Sequence, residues 1–87
     1  MKLKYEFETV ELDGEIMAVP VGESADGLHA ILRLNETASF ILDCLREDVT
    51  EDEIVEKVKS EYEGDDATIR EYVHGYLDDL RAQDILE

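Results

Sequence analysis

The residues of this chain that could do chemistry are few, and none has the neighbours that a reaction requires. The two histidines, His29 and His74, lie far apart in the sequence and lack the spacing that is typical of a shared metal site. A histidine can bind a metal ion or transfer a proton, but it needs a second ligand or a positioned partner to do so. We therefore expect a neutral, surface or half-buried role for both.

The thiol and the carboxylates also give no sign of catalysis. Cys44 is the single cysteine, so no internal disulfide can form, and it falls among apolar residues at helical spacing, where a buried inert thiol is expected. The 24 acidic residues fit a solvated acidic surface better than an acid–base pair. No glycine-rich phosphate loop occurs. The sequence therefore predicts a protein that is not an enzyme and holds no metal ion.

A short junction separates a region of strand-like alternation from a region of helical periodicity. It is the run Leu34–Ala38, with the sequence Leu-Asn-Glu-Thr-Ala. Asn35 is a good helix N-cap, because its side-chain oxygen can accept a backbone N–H that the first helical turn leaves unpaired. We expect β-structure before this junction and helices after it.

Two alternating segments before the junction predict a β-hairpin. Tyr5–Leu12 and Glu15–Val21 flank Asp13-Gly14, a dipeptide favoured in two-residue type I′ turns. Pairing across this turn sets Val10 opposite Met17 and Leu12 opposite Glu15. We expect one face of the hairpin to be buried, and it carries Val10, Leu12, Met17, Val19 and Val21. Pro20 suggests an edge or a strand end.

A turn-rich loop over residues 22–27 leads to a third predicted strand over residues 28–34. Its two faces differ in composition. One suits the core, with Leu28, Ala30, Leu32 and Leu34, and the other is mixed, with His29, Ile31 and Arg33. We expect the first four residues of the chain to be loosely ordered.

Three helices are predicted after the junction. The first runs over residues 36–46, and the second opens with a capping box in which Thr50 and Glu53 satisfy each other's backbone N–H. Gly64 is a natural stop for it. The third begins near Asp66, and a short apolar tail at residues 85–86 follows it.

Two features of the third helix admit more than one interpretation. Gly75 lies in its middle, where glycine costs about 1 kcal/mol relative to alanine. Either another helix packs closely there or some other molecule approaches. Tyr72 and Tyr76, one turn apart, either pack in the core with their hydroxyls at the rim or form an aromatic wall facing a groove.

The third strand suggests a mode of recognition. A three-stranded sheet has two edges, and each presents unpaired backbone N–H and C=O groups. If this strand is an edge beside the third helix, an extended peptide could add to it as a fourth strand. Backbone hydrogen bonds would then supply affinity, and side-chain pockets between strand and helix would supply specificity.

The overall charge excludes several classes of partner. Eight basic residues against 24 acidic ones give a formal net charge of -16. Nucleic-acid binding depends on clustered Lys and Arg, so it is not expected, and neither is binding to an anionic membrane. A neutral or basic partner is favoured. No signal peptide or membrane-length apolar run occurs, which suggests a cytoplasmic protein.

Three stretches of the chain resemble the PqqD family, which is named for pyrroloquinoline quinone biosynthesis. They are residues 34–38 closing the sheet, Thr50-Glu51-Asp52-Glu53-Ile54-Val55, and the terminal run over residues 80–86. The fold of that family is the RiPP recognition element (RRE), which binds the leaders of ribosomally made, post-translationally modified peptides. The resemblance begins at about Phe7. It departs from the family pattern at Phe40-Ile41, where a Trp is frequent, and at Glu47-Asp48, where Asp-Gly is frequent.

The resemblance implies one domain over residues 1–87 with an α+β, winged-helix-like fold, in which a three-stranded antiparallel sheet precedes three helices. It also implies that a leader peptide lies along the third strand in a groove closed by the third helix. The site then comprises Leu28, His29, Ala30, Ile31, Leu32 and Arg33 on the strand, with Ile69, Arg70, Tyr72, Val73 and Tyr76 on the helix. The expected partners are this precursor peptide and a maturation enzyme, often a radical S-adenosylmethionine protein. The resemblance also implies that the protein itself holds no cofactor.

Other functions remain open at this point. The main alternative is an acidic protein–protein adaptor of winged-helix fold without a peptide substrate. A DNA-binding winged helix needs basic residues, whereas the third helix is mostly acidic, and a carrier protein needs its attachment serine at a helix start, whereas Ser24 lies between strands. A monomer or a weak, strand-swapped dimer is expected.

Overall fold

The computed structural model describes residues 1–22 and 31–87, and its elements follow the predicted order. Three antiparallel strands precede three helices, so the predicted α+β class is confirmed. The elements are β1 (Glu6–Leu12), β2 (Glu15–Val21), β3 (Leu32–Leu34), α1 (Glu36–Cys44), α2 (Glu51–Glu61) and α3 (Asp66–Ala82).

The hairpin of β1 and β2 has the predicted turn and the predicted register. Asp13 and Gly14 both adopt positive φ, at 53° and 80°, as a type I′ turn requires. Val10 pairs with Met17, and Leu12 pairs with Glu15. The Asp-Gly dipeptide therefore sets the register locally.

The prediction of which hairpin face is buried is wrong. The face that meets the helices carries Phe7, 2% exposed, and Ala18, fully buried, whereas Val10 and Leu12 on the predicted face are 40% and 59% exposed. Met17, Val19 and Val21 on that face are half-buried. The reason lies in β2, where residues at even and odd positions are both apolar, so a period of two does not choose between them. Packing decides, since Phe7 and Ala18 belong to the same buried cluster as the helical side chains.

The strand β3 lies at one edge of the sheet, whose order is β1-β2-β3. It pairs antiparallel with β2 through Leu34 opposite Ile16, Arg33 opposite Met17 and Leu32 opposite Ala18. It covers residues 32–34 of the predicted span of 28–34, and Leu28 and Ala30 lie outside the described residues. The predicted edge position is confirmed.

All three helices start at side-chain caps. The Asn35 Oδ1 accepts from the Ala38 N–H at 2.8 Å, and Asp65 Oδ1 accepts from the Thr68 N–H at 2.8 Å. Thr50 and Glu53 form the predicted capping box. α1 ends two residues earlier than the predicted Arg46, at Cys44. These caps satisfy N–H groups that a first turn leaves without intrahelical partners.

The core lies between the inner sheet face and the three helices. Its helical part consists of fully buried or nearly buried side chains, which are Ile41, Leu42, Leu45, Ile54, Val55, Val58, Ile69, Val73, Leu77 and Leu80. Ile85 and Leu86 close it from the C-terminal tail. Among the described residues no charged or polar side chain is buried. Burial of this apolar surface is the main force holding sheet to helices.

The first four residues are held against the tail, where we expected loose order. Leu3 is 7% exposed and forms a bridge with Leu86. Its N–H donates to the Leu45 carbonyl at 3.1 Å, and the Lys4 N–H donates to the Ile85 carbonyl at 2.8 Å. The two ends of the domain therefore stabilise each other.

Candidate functional site

The open edge of β3 presents backbone groups in a pattern that follows from the hairpin turn. In a hairpin closed by two residues, the residues flanking the turn form a hydrogen-bonded pair, and such pairs alternate with non-bonded ones. Leu12 and Glu15 flank the turn, so Val10 and Met17, two positions further along, also form a hydrogen-bonded pair, and Met17 directs its N–H and C=O toward β1. Met17 and Arg33 therefore lie opposite each other without a backbone hydrogen bond between them. The N–H and C=O of Arg33 consequently face outward, where an added strand would pair.

The predicted strand residues divide into accessible and buried ones. Ile31 is 60% exposed and Arg33 is exposed, whereas Leu32 is 8% exposed and belongs to the core. Leu28, His29 and Ala30 lie outside the described residues. A ligand at this edge would thus contact Ile31 and Arg33 but not the Leu32 side chain.

The predicted helix residues divide in the same way. The side chains of Ile69 and Val73 are core residues of α3. Arg70 is exposed but engaged, with Nη1 donating to Asp52 Oδ1 and Nε donating to Asp66 Oδ2, both at 2.8 Å. These three side chains hold α3 in place. Tyr72, which is 41% exposed, and Tyr76, which is half-buried, supply the accessible aromatic surface.

A hydrogen bond joins α3 to the end of β3. The Tyr72 hydroxyl donates to Asn35 Oδ1 at 3.3 Å, and the same oxygen caps α1. Asn35 directly follows β3, so this contact brings the aromatic face of α3 to the strand end. Sequence reasoning gave Asn35 a capping role only, because a contact between residues so distant in the chain leaves no local signal.

Gly75 lies at an open part of the α3 surface. A Cβ placed there would meet no atom within 4 Å, so the close-packing interpretation is wrong. Gly75 lies three positions after Tyr72, and Tyr76 lies four positions after Tyr72, so on a helix both are surface neighbours of Tyr72. We define the α3 open face as Tyr72, Gly75 and Tyr76. This face has room for a ligand.

Within residues 1–22 and 31–87, the hydroxyl of Tyr76 is a buried polar atom without a hydrogen-bond partner. Burial raises the pKa of Tyr76 to about 12. Its ring packs against the core while its hydroxyl is shielded from solvent. Tyr76 therefore packs against the core, but its hydroxyl is buried and does not lie at the rim, whereas Tyr72 is exposed.

Of the residues considered for catalysis, Cys44 and His74 belong to the described part of the chain and His29 does not. Burial raises the pKa of the Cys44 thiol, which disfavours the nucleophilic thiolate. His74 is exposed between two carboxylates, with Nδ1 at 3.0 Å from Glu51 Oε1 and Nε2 at 3.3 Å from Asp78 Oδ2. Glu51 and Asp78 raise the pKa of the His74 ring above its usual value. Within residues 1–22 and 31–87 no cluster of metal ligands is found.

The described residues line two surface depressions. The larger, about 730 Å³, lies between the N-terminal segment, β1 and Arg46, and it contains none of the predicted site residues. The smaller, about 420 Å³, lies beside β3 and is lined by Arg33, Leu34, Asn35 and the hairpin tip. In the part of the chain that is described, no helix is both long and apolar enough to cross a membrane.

Comparison with known proteins agrees with this architecture. A solved structure described as "TbiB1 in Complex with the TbiA(beta) Leader Peptide" matches with a TM-score of 0.76 and 23% identity, over 100% of this chain and 95% of that one. At this identity the likeness concerns the fold. No curated protein matches the sequence. The family model described as "Coenzyme PQQ synthesis protein D (PqqD)" matches residues 15–86, which include β2, β3 and all three helices. This chain therefore belongs to the PqqD family.

Proposed function

We propose that this protein is a non-catalytic RRE module that binds the leader segment of a ribosomally made precursor peptide and presents it to a maturation enzyme. The leader adds as a strand to the edge of β3 and contacts the α3 open face. Membership of the PqqD family and the fold shared with a leader-peptide complex support the proposal. A radical S-adenosylmethionine protein is the enzyme class that the resemblance favours.

The observation that carries the proposal is the outward orientation of the Arg33 peptide groups at an open sheet edge. Backbone groups in this orientation can pair with an extended peptide of almost any sequence. Ile31 and Tyr72 are exposed on either side of the edge, so they contact the side chains of the peptide and give specificity. Arg70 is occupied by Asp52 and Asp66, so among the described residues of the candidate site Arg33 is the cation left to favour an acidic peptide residue.

The direct test is a titration of the isotope-labelled protein with precursor peptides encoded near its gene, followed by backbone amide NMR. We expect shift changes concentrated at Ile31, Arg33 and residues 72–76. The alternative, an acidic adaptor without a peptide substrate, predicts no saturable change at these positions with any of the peptides.

A proline at position 33 tests the edge itself. Arg33→Pro removes the outward N–H without removing a β2–β3 hydrogen bond, and we expect the Kd for the leader to rise about tenfold or more. Arg33→Ala is the matched control, because it removes the side chain and keeps the N–H. If the two variants weaken binding equally, the backbone of β3 is not the recognition element.

A bulky residue at position 75 tests the helix side. Gly75→Ala should raise the helix stability by about 1 kcal/mol and leave peptide binding intact, since a Cβ meets open space. Gly75→Leu should also fold but should block the α3 open face and weaken binding. Unchanged binding by Gly75→Leu would show that the peptide does not lie on this face.

A further inference from the structure

The sheet has an apolar face that lies outside the core and is exposed or half-buried among the described residues. We define the outer sheet face as Val10, Leu12, Met17, Val19 and Val21, which share one side of the hairpin by register. Val10 and Leu12 are 40% and 59% exposed. None of the five belongs to the core or to the half-buried side chains packed against it. Contiguous exposed apolar surface of this kind commonly marks a protein interaction site.

Unpaired carboxylates flank this face. Glu6, Glu8 and Glu15 alternate with its apolar residues on the same side of β1 and β2. None of them takes part in an ion pair among the described residues. In contrast, Lys59 and Arg70 are paired with acidic partners on the helical side of the molecule. Arg33, opposite Met17, is a positive charge on the same side of the sheet, so the three glutamates leave this face with a net negative charge.

These charges distinguish between the molecules that could bind the outer sheet face. A second copy of the chain would set glutamates against glutamates in a pair of molecules that each carry a net charge of -16, which is unfavourable. A leader strand at β3 would be held by edge hydrogen bonds and would leave the hairpin face free. A partner protein whose surface has an apolar centre and a rim of Lys and Arg buries the apolar residues and pairs with the glutamates.

We propose that the outer sheet face docks the maturation enzyme through an apolar patch flanked by lysines and arginines on that enzyme. The proposal rests on the proposed function, because it assigns the enzyme to one surface and the leader to another. Arg33 lies opposite Met17, so the two surfaces share a border along β3. An enzyme bound to the outer sheet face would thus lie directly beside the bound peptide.

The test uses purified full-length protein, the peptide-modifying enzyme encoded beside its gene, and the cognate leader, with each Kd measured separately. The apolar variant is Val10→Ser with Leu12→Ser, two exposed positions whose change leaves the core intact. The charge variant is Glu8→Lys. Its matched control is Glu11→Lys, with the same charge change on the same strand but on the opposite face, since Glu11 pairs with Ile16.

We expect the double serine variant and Glu8→Lys each to raise the Kd for the enzyme about tenfold, and Glu11→Lys to change it less than about threefold. The Kd for the leader should stay within about twofold for the serine variant and Glu8→Lys. Equal enzyme affinity for wild type and both face variants overturns the proposal, as does the absence of wild-type binding. If the wild-type protein does not bind the leader, the proposed function is contradicted instead.

Discussion

One oxygen atom of Asn35 serves two elements of the fold. It accepts the Ala38 N–H that starts α1 and the hydroxyl of Tyr72 from α3. The first bond is local and follows from the preference of asparagine for N-caps. The second requires that α3 lie against the end of β3, which no residue near position 35 indicates. The cap was therefore predictable, and the contact with the candidate site was not.

The buried hydroxyl of Tyr76 leads to a prediction about stability. Because this oxygen has no hydrogen-bond partner, Tyr76→Phe removes a desolvated polar group and should leave the free energy of unfolding unchanged or raise it by about 1 kcal/mol. Denaturant unfolding measures this directly. Tyr72→Phe is the control, since it removes a bonded hydroxyl and should cost a few tenths of a kcal/mol. A clear loss of stability in Tyr76→Phe would mean that the hydroxyl is bonded in solution.

Among the secondary-structure elements, α2 and α3 are joined by a buried stripe and by exposed polar pairs. The buried stripe was predictable from helical spacing, because Val55 on α2 and Val73 on α3 each belong to a series of apolar residues that recurs about once per turn. The polar pairs were not, since Arg70 meets Asp52 and His74 meets Glu51 only once the helices are aligned. Arg70 was accordingly assigned to the peptide, whereas the structure shows that it joins the two helices.

His74 should make this helix pair sensitive to pH. Glu51 and Asp78 raise its pKa in the folded state despite the opposing effect of Arg81. A raised folded pKa contributes stability that is fully present below the unfolded value, about 6.5, and is lost as the pH rises through the folded pKa. We expect His74→Gln to destabilise the protein more at about pH 5 than at about pH 8.5.

Denaturant unfolding of His74→Gln and wild type at both pH values measures this difference, and an NMR titration of the ring gives the pKa. Glu51→Gln is the control, because it removes a charge that faces the ring and should reduce the pH dependence. A ring pKa at or below that of a free histidine would contradict the arrangement.

The whole molecule carries its excess negative charge on an exposed surface. Between described residues, Lys, Arg and the N-terminal amine form eight ion pairs with carboxylates at the surface, and each contributes little. The net charge of -16 makes repulsion the larger electrostatic effect in the folded state. Raising NaCl from about 10 to about 300 mM should therefore raise the Tm by a few degrees.

Thermal unfolding followed by circular dichroism measures this salt effect. A Tm that falls with salt would show that the ion pairs outweigh the general repulsion. Glu63→Lys offers a matched check, because this exposed glutamate takes part in no ion pair among the described residues. By reducing the net charge, it should raise the Tm at low salt more than at high salt.

The sequence by itself determined the features that depend on neighbours along the chain. The Asp13-Gly14 turn with its register, the caps at Asn35 and Thr50, and the order of strands and helices all follow from local conformational preference. Only the tertiary structure decided which hairpin face is buried. Both faces of β2 are apolar, so alternation cannot distinguish them, and the fit of Phe7 and Ala18 against the helices makes the choice. The same packing exposes Val10 and Leu12, and thereby creates the outer sheet face.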